Sequence, residues 1–298
     1  MDHPHYRYSP LPARPRWTWP NGARLAVCVL LYLEHWELQP PEGAHRDPRY
    51  VGEFGSWFPD YRTWTQREYG NRVGVFRVLE VLDALRIVPA VPVNAMAIER
   101  YPRLVYELGR RGAEFLGHGI SASRMLTSRL TEAEERDVIG QSLDAIEHAT
   151  GARPRGWVSP DFGESTRTPQ LLAEVGLRYV LDWPNDDQPY RLTTAPPLVS
   201  IPNQSEWDDV QLLWLRRIAM PRYPALLAQA CAALCAEGEQ SARVLTIGLH
   251  PWLVGMASRV RYLREALEAI TGREGVWFAA PGEIADAADS ALAAATPR

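Results

Sequence analysis

Short apolar runs alternate along this chain with stretches of helical spacing, and several of the runs stop at residues able to move protons. The longest run, Arg24–Leu33, is nearly continuous in apolar residues, as expected of a strand buried on both faces. Further strands are expected at Val88–Val93, Ala113–Leu116, Gly156–Ser159, Leu177–Asp182, Leu198–Pro202, Arg243–Leu249 and Val276–Ala279. Between them the spacing predicts helices over Arg72–Arg86, Ala97–Arg111, Thr131–Ala149, Thr168–Glu174, Tyr223–Glu237 and Ser258–Thr271, and a short one from Pro281. Thr131-Glu132-Ala133-Glu134 has the form of a capping box, and Gly176 and Gly272 stand where helix stops are expected. Strands alternating with helices predict parallel strands and right-handed crossovers, closed into a barrel, with an open doubly wound sheet as the alternative. No Gly-x-Gly-x-x-Gly follows any strand, which weighs against an open dinucleotide-binding sheet.

The domain layout follows from the same pattern. Residues 1–23 read as an N-terminal arm rich in proline and aromatics, ending near the turn Trp19-Pro20-Asn21-Gly22. Residues 24–290 form one barrel domain, and 291–298 a frayed tail of small residues. Residues 37–70 show little periodicity and read as a long insertion after the first strand. Its Trp57, Phe58, Tyr61 and Trp64 are many aromatics for a solvated loop, so a subunit contact or a lid over the pocket is expected, with a homo-oligomer preferred.

Composition narrows the classes. The chain has 298 residues, 46% hydrophobic and 23% charged, with a net charge of −4, so electrostatics give no case for nucleic acid or an anionic membrane. No apolar run approaches a membrane span, Met1-Asp2-His3-Pro4-His5 does not open a signal peptide, and three scattered cysteines make no disulfide framework. A cytoplasmic protein acting on a small molecule is expected. There is no lysine, which excludes Schiff-base chemistry and a P-loop lysine.

The chemistry concentrates at strand ends, which a parallel barrel gathers on one rim. Glu34 and His35 end the first strand; desolvation there raises a carboxylate's pKa and suits it to general-base work, the alternative being an ion pair with an arginine. His118 lies between Gly117 and Gly119, and His250 precedes Pro251; either acts on substrate or is a structural histidine. Asp182–Tyr190, with Asn185 and Asp186, carries groups that could hydrogen-bond a small polar ring, or merely build turns. Trp36, Trp157, Trp183 and Trp252 fall near strand ends and are expected to wall a flat pocket. His3, His5, His45 and His148 read as solvated.

On Leu33-Glu34-His35-Trp36-Glu37, Glu68–Arg72, Gly117-His118-Gly119, Gly156–Pro160, Asp182–Tyr190 and Leu249–Leu253 with Arg259, the chain resembles the polysaccharide deacetylase (NodB-homology) superfamily. The similarity runs over nearly the whole chain from Arg24 and is nearest to the allantoinase and cyclic imide hydrolase branch. It implies a distorted (β/α) barrel and hydrolysis of a non-peptide C–N bond, with Glu34 as base, His250 as catalytic acid and His118 at the position of the first metal histidine; in the leading reading His118 with nearby groups holds the oxyanion. Ser159 and Arg259 join His35, Trp36, Trp157, Trp183, Asn185, Asp186 and Trp252 as substrate-binding candidates. The deacetylase metal site implies an Asp at position 35 and a second histidine at 122, where this chain has His35 and Ala122. Glu34, His35 and His118 remain candidates for one zinc or other divalent metal, and a metal-free site is the alternative. The leading expectation is an enzyme opening a small cyclic amide, imide or ureide. The alternatives are a metal-dependent N-deacetylase of an acetylated sugar and a non-catalytic binding protein. Glu34, His35, His118 and His250 are expected to converge on one pocket.

Overall fold

The computed structural model describes residues 2–42, 44 and 59–295. Strand β1 (Leu25–Leu31) is buried along its whole length, as its apolar run demands. One of its edges pairs in parallel with all of β8 (Arg243–Leu249). The other edge is shared: β9 (Val276–Phe278) pairs with its first half and β2 (Ala90–Val93) with its second. From β2 the sheet continues through β3 (Glu114–Gly117), β4 (Gly156–Trp157), β5 (Tyr179–Val180) and β7 (Val199–Ser200), all parallel. The antiparallel β6 (Tyr190–Arg191) ends it.

The sheet curls until β8 meets the chain after β5. There Val244 N–H donates to Asp187 O at 2.9 Å and the Thr246 hydroxyl to Pro202 O at 2.8 Å, so side contacts rather than a strand ladder complete the barrel. The N-terminal arm seals the same seam. Ala242 N–H bonds Trp17 O, the Trp19 indole N–H bonds Arg243 O, and Arg14 forms an ion pair with Asp186. Strand parity then separates two cores. Ala26, Cys28, Leu30 and Tyr32 pack inside with Leu116, Tyr179, Ile201 and Val244. Helix α10 (Pro281–Ala295) and Trp19 close that inner core. Leu25, Val27, Val29 and Leu31 face outward onto the helical layer.

The helices differ from the sequence expectation in instructive places. Pro102 divides the expected Ala97–Arg111 helix into α3 (Ala95–Arg100) and α4 (Pro102–Gly109), since a proline cannot donate within a helix. Within the stretch read as an aperiodic insertion, Asp60 caps a helix α1 (Tyr61–Tyr69). His45, Trp57 and Phe58 lie outside the described residues. Helix α10 continues to Ala295, past the expected start of a frayed tail, and 296–298 lie outside the described residues. Among the described residues no helix is long and apolar enough to cross a membrane.

A π-helical turn, Gly70–Gly74, joins α1 to α2 (Val75–Leu85). It packs against α8 (Pro251–Val254), the turn that follows His250. A Cβ on Gly74 would stand 2.2 Å from Pro251 O, and one on Gly70 2.5 Å from Trp252 N. Only glycine admits that approach. Gly74→Ala is expected to destabilise the protein by roughly 1–3 kcal/mol through overpacking and to lower the thermal midpoint. An unchanged midpoint would show that the two turns can separate freely.

Candidate active site

The C-terminal end of β1 brings Tyr32 and Glu34 to the inner side of the rim. Two side chains hold this end in place. Asn71, in the π-turn, donates to Glu34 O at 2.7 Å. Asn94, fully buried after β2, accepts from His35 N–H at 3.0 Å and donates to His118 O. Asn94 thereby ties the ends of β1 and β3 together.

The Glu34 carboxylate bridges two partners. Oε1 lies 3.2 Å from His118 Nε2, and Oε2 accepts from the Trp36 indole N–H at 3.2 Å. His118 Nδ1 faces Val158 O at 2.6 Å. A carbonyl only accepts, so Nδ1 carries a proton and, in the neutral ring, Nε2 is a second acceptor turned toward a carboxylate. The pair has room for one positive charge between the two atoms, a proton in the simplest case.

His250 is held more tightly. Asp209 Oδ1 accepts from its Nδ1 at 2.6 Å while Oδ2 accepts from its backbone N–H at 2.8 Å. Its ring stacks on Tyr32 at 4.3 Å with an interplanar angle of 6°, and His118 touches the same tyrosine. Tyr32 is thus the floor on which both imidazoles rest.

The charges follow from this geometry. Burial pulls the His250 pKa down, but the charges of Asp209 and Asp208 and the Asp209 hydrogen bond outweigh it and bring it up to about 9. Burial pushes Asp208 up to about 7. Glu34 reverses the sequence expectation. Burial does push it up, but the His118 hydrogen bond and the charge of His250 pull harder, and it falls to about 2. The site therefore holds an ionised carboxylate beside a protonated imidazole, an acid and a base in opposite states.

Glu34 also lines an adjoining cleft with Trp36, Arg67, Asn71 and Tyr101. His35 opens onto this cleft rather than onto His118. Its Nδ1 lies 3.3 Å from the Tyr101 hydroxyl, and burial and Arg100 lower its pKa to about 4. Neighbours on an extended chain point to opposite sides, so Glu34 and His35 cannot both face His118. The expected convergence thus covers Glu34, His118 and His250, with His35 on the far wall.

Other candidates lie elsewhere. Trp157 is fully buried in an outer core with Leu143 and Leu172, and its indole N–H bonds Ser159 Oγ. Ser159 N–H in turn bonds Asp182, so Ser159 braces the β4 end. Trp183 packs on His5 and Tyr6 of the arm and donates to Glu164. Asn185 accepts from Tyr190, and Asp186 grips Arg14 and caps its own turn. Those two residues are turn builders. Arg259 is half-buried, donates to Leu253 O and feels the charge of Asp209. Trp252 forms a stacking wall for Arg67.

The sequence reading did not single out Asn71, Asn94, Asp208 or Asp209. The available signal for the last two was a pair of acids, Trp207-Asp208-Asp209-Val210, set in an otherwise apolar stretch.

A deacetylase-type metal needs three ligands. Glu34 and His118 supply two donors, His35 is turned toward Tyr101, and the buried Ala122 offers a methyl group. Among the described residues the ligand atoms that do cluster are those of Asp208, Asp209 and His250, where Asp209 is already committed to the imidazole. The residues do not fit the three-ligand centre.

Comparison with known proteins gives this geometry its context. The sequence pattern of the polysaccharide deacetylase family matches residues 68–180. A Schizosaccharomyces pombe protein bearing the polysaccharide deacetylase name is 29% identical over 90% of this chain and 91% of its own. A structure described as a probable polysaccharide deacetylase from Pseudomonas aeruginosa PAO1 superposes with a TM-score of 0.80 at 26% identity, covering 91% of this chain and 93% of its own. The structure of PuuE allantoinase does so with a TM-score of 0.77 at 26% identity, covering 91% and 92%. Residues 68–180 match the polysaccharide deacetylase pattern, and the chain takes the (β/α) barrel fold that these deacetylase and allantoinase structures share.

Proposed function

We propose that this protein is a hydrolase that opens a non-peptide C–N bond in a small cyclic amide, imide or ureide. One observation carries the reading: an ionised Glu34 bonded to His118 and a protonated His250 stacked on Tyr32, which His118 also contacts, without a three-ligand metal set. Glu34 takes a proton from water as the water oxygen bonds to the ring carbonyl carbon. The carbonyl electrons move to oxygen, and the proton taken by Glu34, held between it and His118, supplies the positive neighbour. The C–N bond then breaks as His250 delivers its proton to the departing nitrogen. In a ring, that nitrogen stays tethered to the acyl product.

A metal-dependent N-deacetylase acting on an acetylated sugar is the second reading, favoured by the family pattern and by the names of the relatives. The two readings part on one experiment. Hydantoin, allantoin and succinimide are offered alongside an N-acetylglucosamine oligomer, each before and after chelation with EDTA and dialysis. The expected result is ring opening, with rates unchanged within about twofold by the chelator, since no acid–base step here uses a metal. Release of acetate from the oligomer, lost on chelation, would replace the first reading by the second.

A further inference from the structure

His35 and Ala122, the two residues that leave a deacetylase-type metal short of donors, are joined directly in this protein. Ala122 N–H donates to His35 O at 2.9 Å. That bond is one stitch of a seam between the chain after β1 and the chain after β3. Farther along, Glu37 N–H donates to Ser123 Oγ at 2.8 Å. The Glu37 carboxylate accepts from the Ser121 hydroxyl at 2.6 Å and twice from Arg124, from Nε at 2.8 Å and from a terminal nitrogen at 2.6 Å. Ser121 and Ser123 are buried, and the Glu37 side chain is 10% exposed against 37% for Arg124. A forked arginine–carboxylate contact with one partner so covered is stronger and more directional than an ordinary surface ion pair. Burial pushes the Glu37 pKa up, but the Arg124 and Ser121 hydrogen bonds outweigh it and hold it below the ordinary value.

Trp36 stands between the two stitched residues. Its indole N–H donates to Glu34 Oε2 at 3.2 Å, and its carbonyl accepts from the Trp64 indole at 2.8 Å. With His35 and Glu37 both tied to residues 121–124, the Trp36 backbone is fixed on either side. Glu34 is then aimed from two directions, Oε2 by Trp36 and Oε1 by His118. We propose that Glu37 and Arg124 are positioning residues for Glu34, acting through Trp36. They lock together the two strand ends that a metal would bridge, and so aim the base with protein groups alone. The effect on rate rests on the ring-hydrolase reading; the effect on Trp36 does not. A base displaced by a fraction of an ångström loses the alignment on which its rate depends.

The test uses Arg124→Met, Arg124→Lys, Glu37→Gln, and Glu37→Gln combined with Arg124→Met. NMR of protein with isotope-labelled tryptophan reads the Trp36 indole N–H, its resonance assigned by Trp36→Phe. Trp19, bonded to Arg243 O at the start of β8, is the control. Arg124→Met is expected to shift the Trp36 resonance and leave that of Trp19 in place. It is also expected to lower kcat for the ring substrate about tenfold or more, with KM changed less than about twofold. Arg124→Lys keeps the charge but not the fork, and should fall between. The double variant should cost no more than Arg124→Met, since both changes break one contact. Rates are taken well below each variant's thermal midpoint. A contact that only stabilises the fold would lower the midpoint and leave kcat and the Trp36 resonance in place. That outcome, or additive losses in the double variant, would overturn the assignment. If the parent opens no ring while the Trp36 resonance answers to Glu37 and Arg124, the hydrolase reading falls and the positioning of Trp36 stands. If rings are opened and the Trp36 resonance does not move in the variants, the reverse holds.

Discussion

Replacing Glu34 by Gln is expected to lower turnover by roughly three orders of magnitude, the usual worth of a general base, while the protein stays folded. The amide has the same shape as the carboxylate. It can still accept from the Trp36 indole N–H, and its NH2 can donate to His118 Nε2. What it cannot do is take a proton from water. The substitution also has a signature in acid. The Glu34 pKa is held at about 2, below its ordinary 4.5, mainly because the His118 hydrogen bond and the His250 charge overcome burial. A depressed carboxylate stabilises the fold above its unfolded pKa, and that stability is lost as pH falls through the folded value. The parent should therefore lose stability between about 4.5 and about 2 by a step that the variant lacks. Acid denaturation followed by circular dichroism, beside single-turnover assays, checks both halves. Turnover within tenfold of the parent would remove Glu34 from the role of base.

How much of this was readable beforehand depends on the range over which each residue acts. The apolar run of β1 and the residues that end it were plain, because strand burial and strand ends are local properties. Glu34, His118 and His250 were found that way, and the structure gathers them around Tyr32. Asn94 and Asp209 were not, because their work is done on backbone and ring atoms 59 and 41 residues away. Neither sits at a position where a local pattern would mark it. The misplacements have a different cause. Trp157 was put on the pocket because it ends a strand, but its neighbour Val158 takes the inner side and Trp157 the outer. A shift of one residue changes the face, and a two-residue strand gives no alternation from which to read parity. Asn185 and Asp186 look like recognition groups by type, yet Asx side chains in turns commonly satisfy their own backbone or, as here, a crossing arginine.

The second large effect falls on Asp209. His250 gives up a proton only if it holds one at working pH, and Asp209 is the main reason that it does. Asn at 209 keeps the volume and can still accept from Nδ1, but its NH2 then faces the His250 backbone N–H, so that bond is lost along with the charge. Burial then acts on the imidazole with less opposition, and the His250 pKa drops from about 9 toward or below its ordinary 6.5. In the parent, the rate should stay on a plateau through neutral pH and fall as pH rises through about 9. That limb belongs to His250 together with Asp208 and Asp209, since the three titrate as a group. In Asp209→Asn the alkaline limb should move down by about two pH units or more, with a loss of roughly a hundredfold at pH 8. Stability moves in the same sense. A histidine whose pKa is raised on folding stabilises fully below its unfolded value of 6.5, and that contribution is lost as pH rises through about 9. The parent should therefore become less stable between those values, and Asp209→Asn should show a much smaller change. A purely structural role for Asp209 predicts something else: a lower thermal midpoint at every pH, with the alkaline limb of the rate profile left in place. Rate profiles and melting curves taken on the same two proteins decide between a residue that charges the acid and one that only holds it.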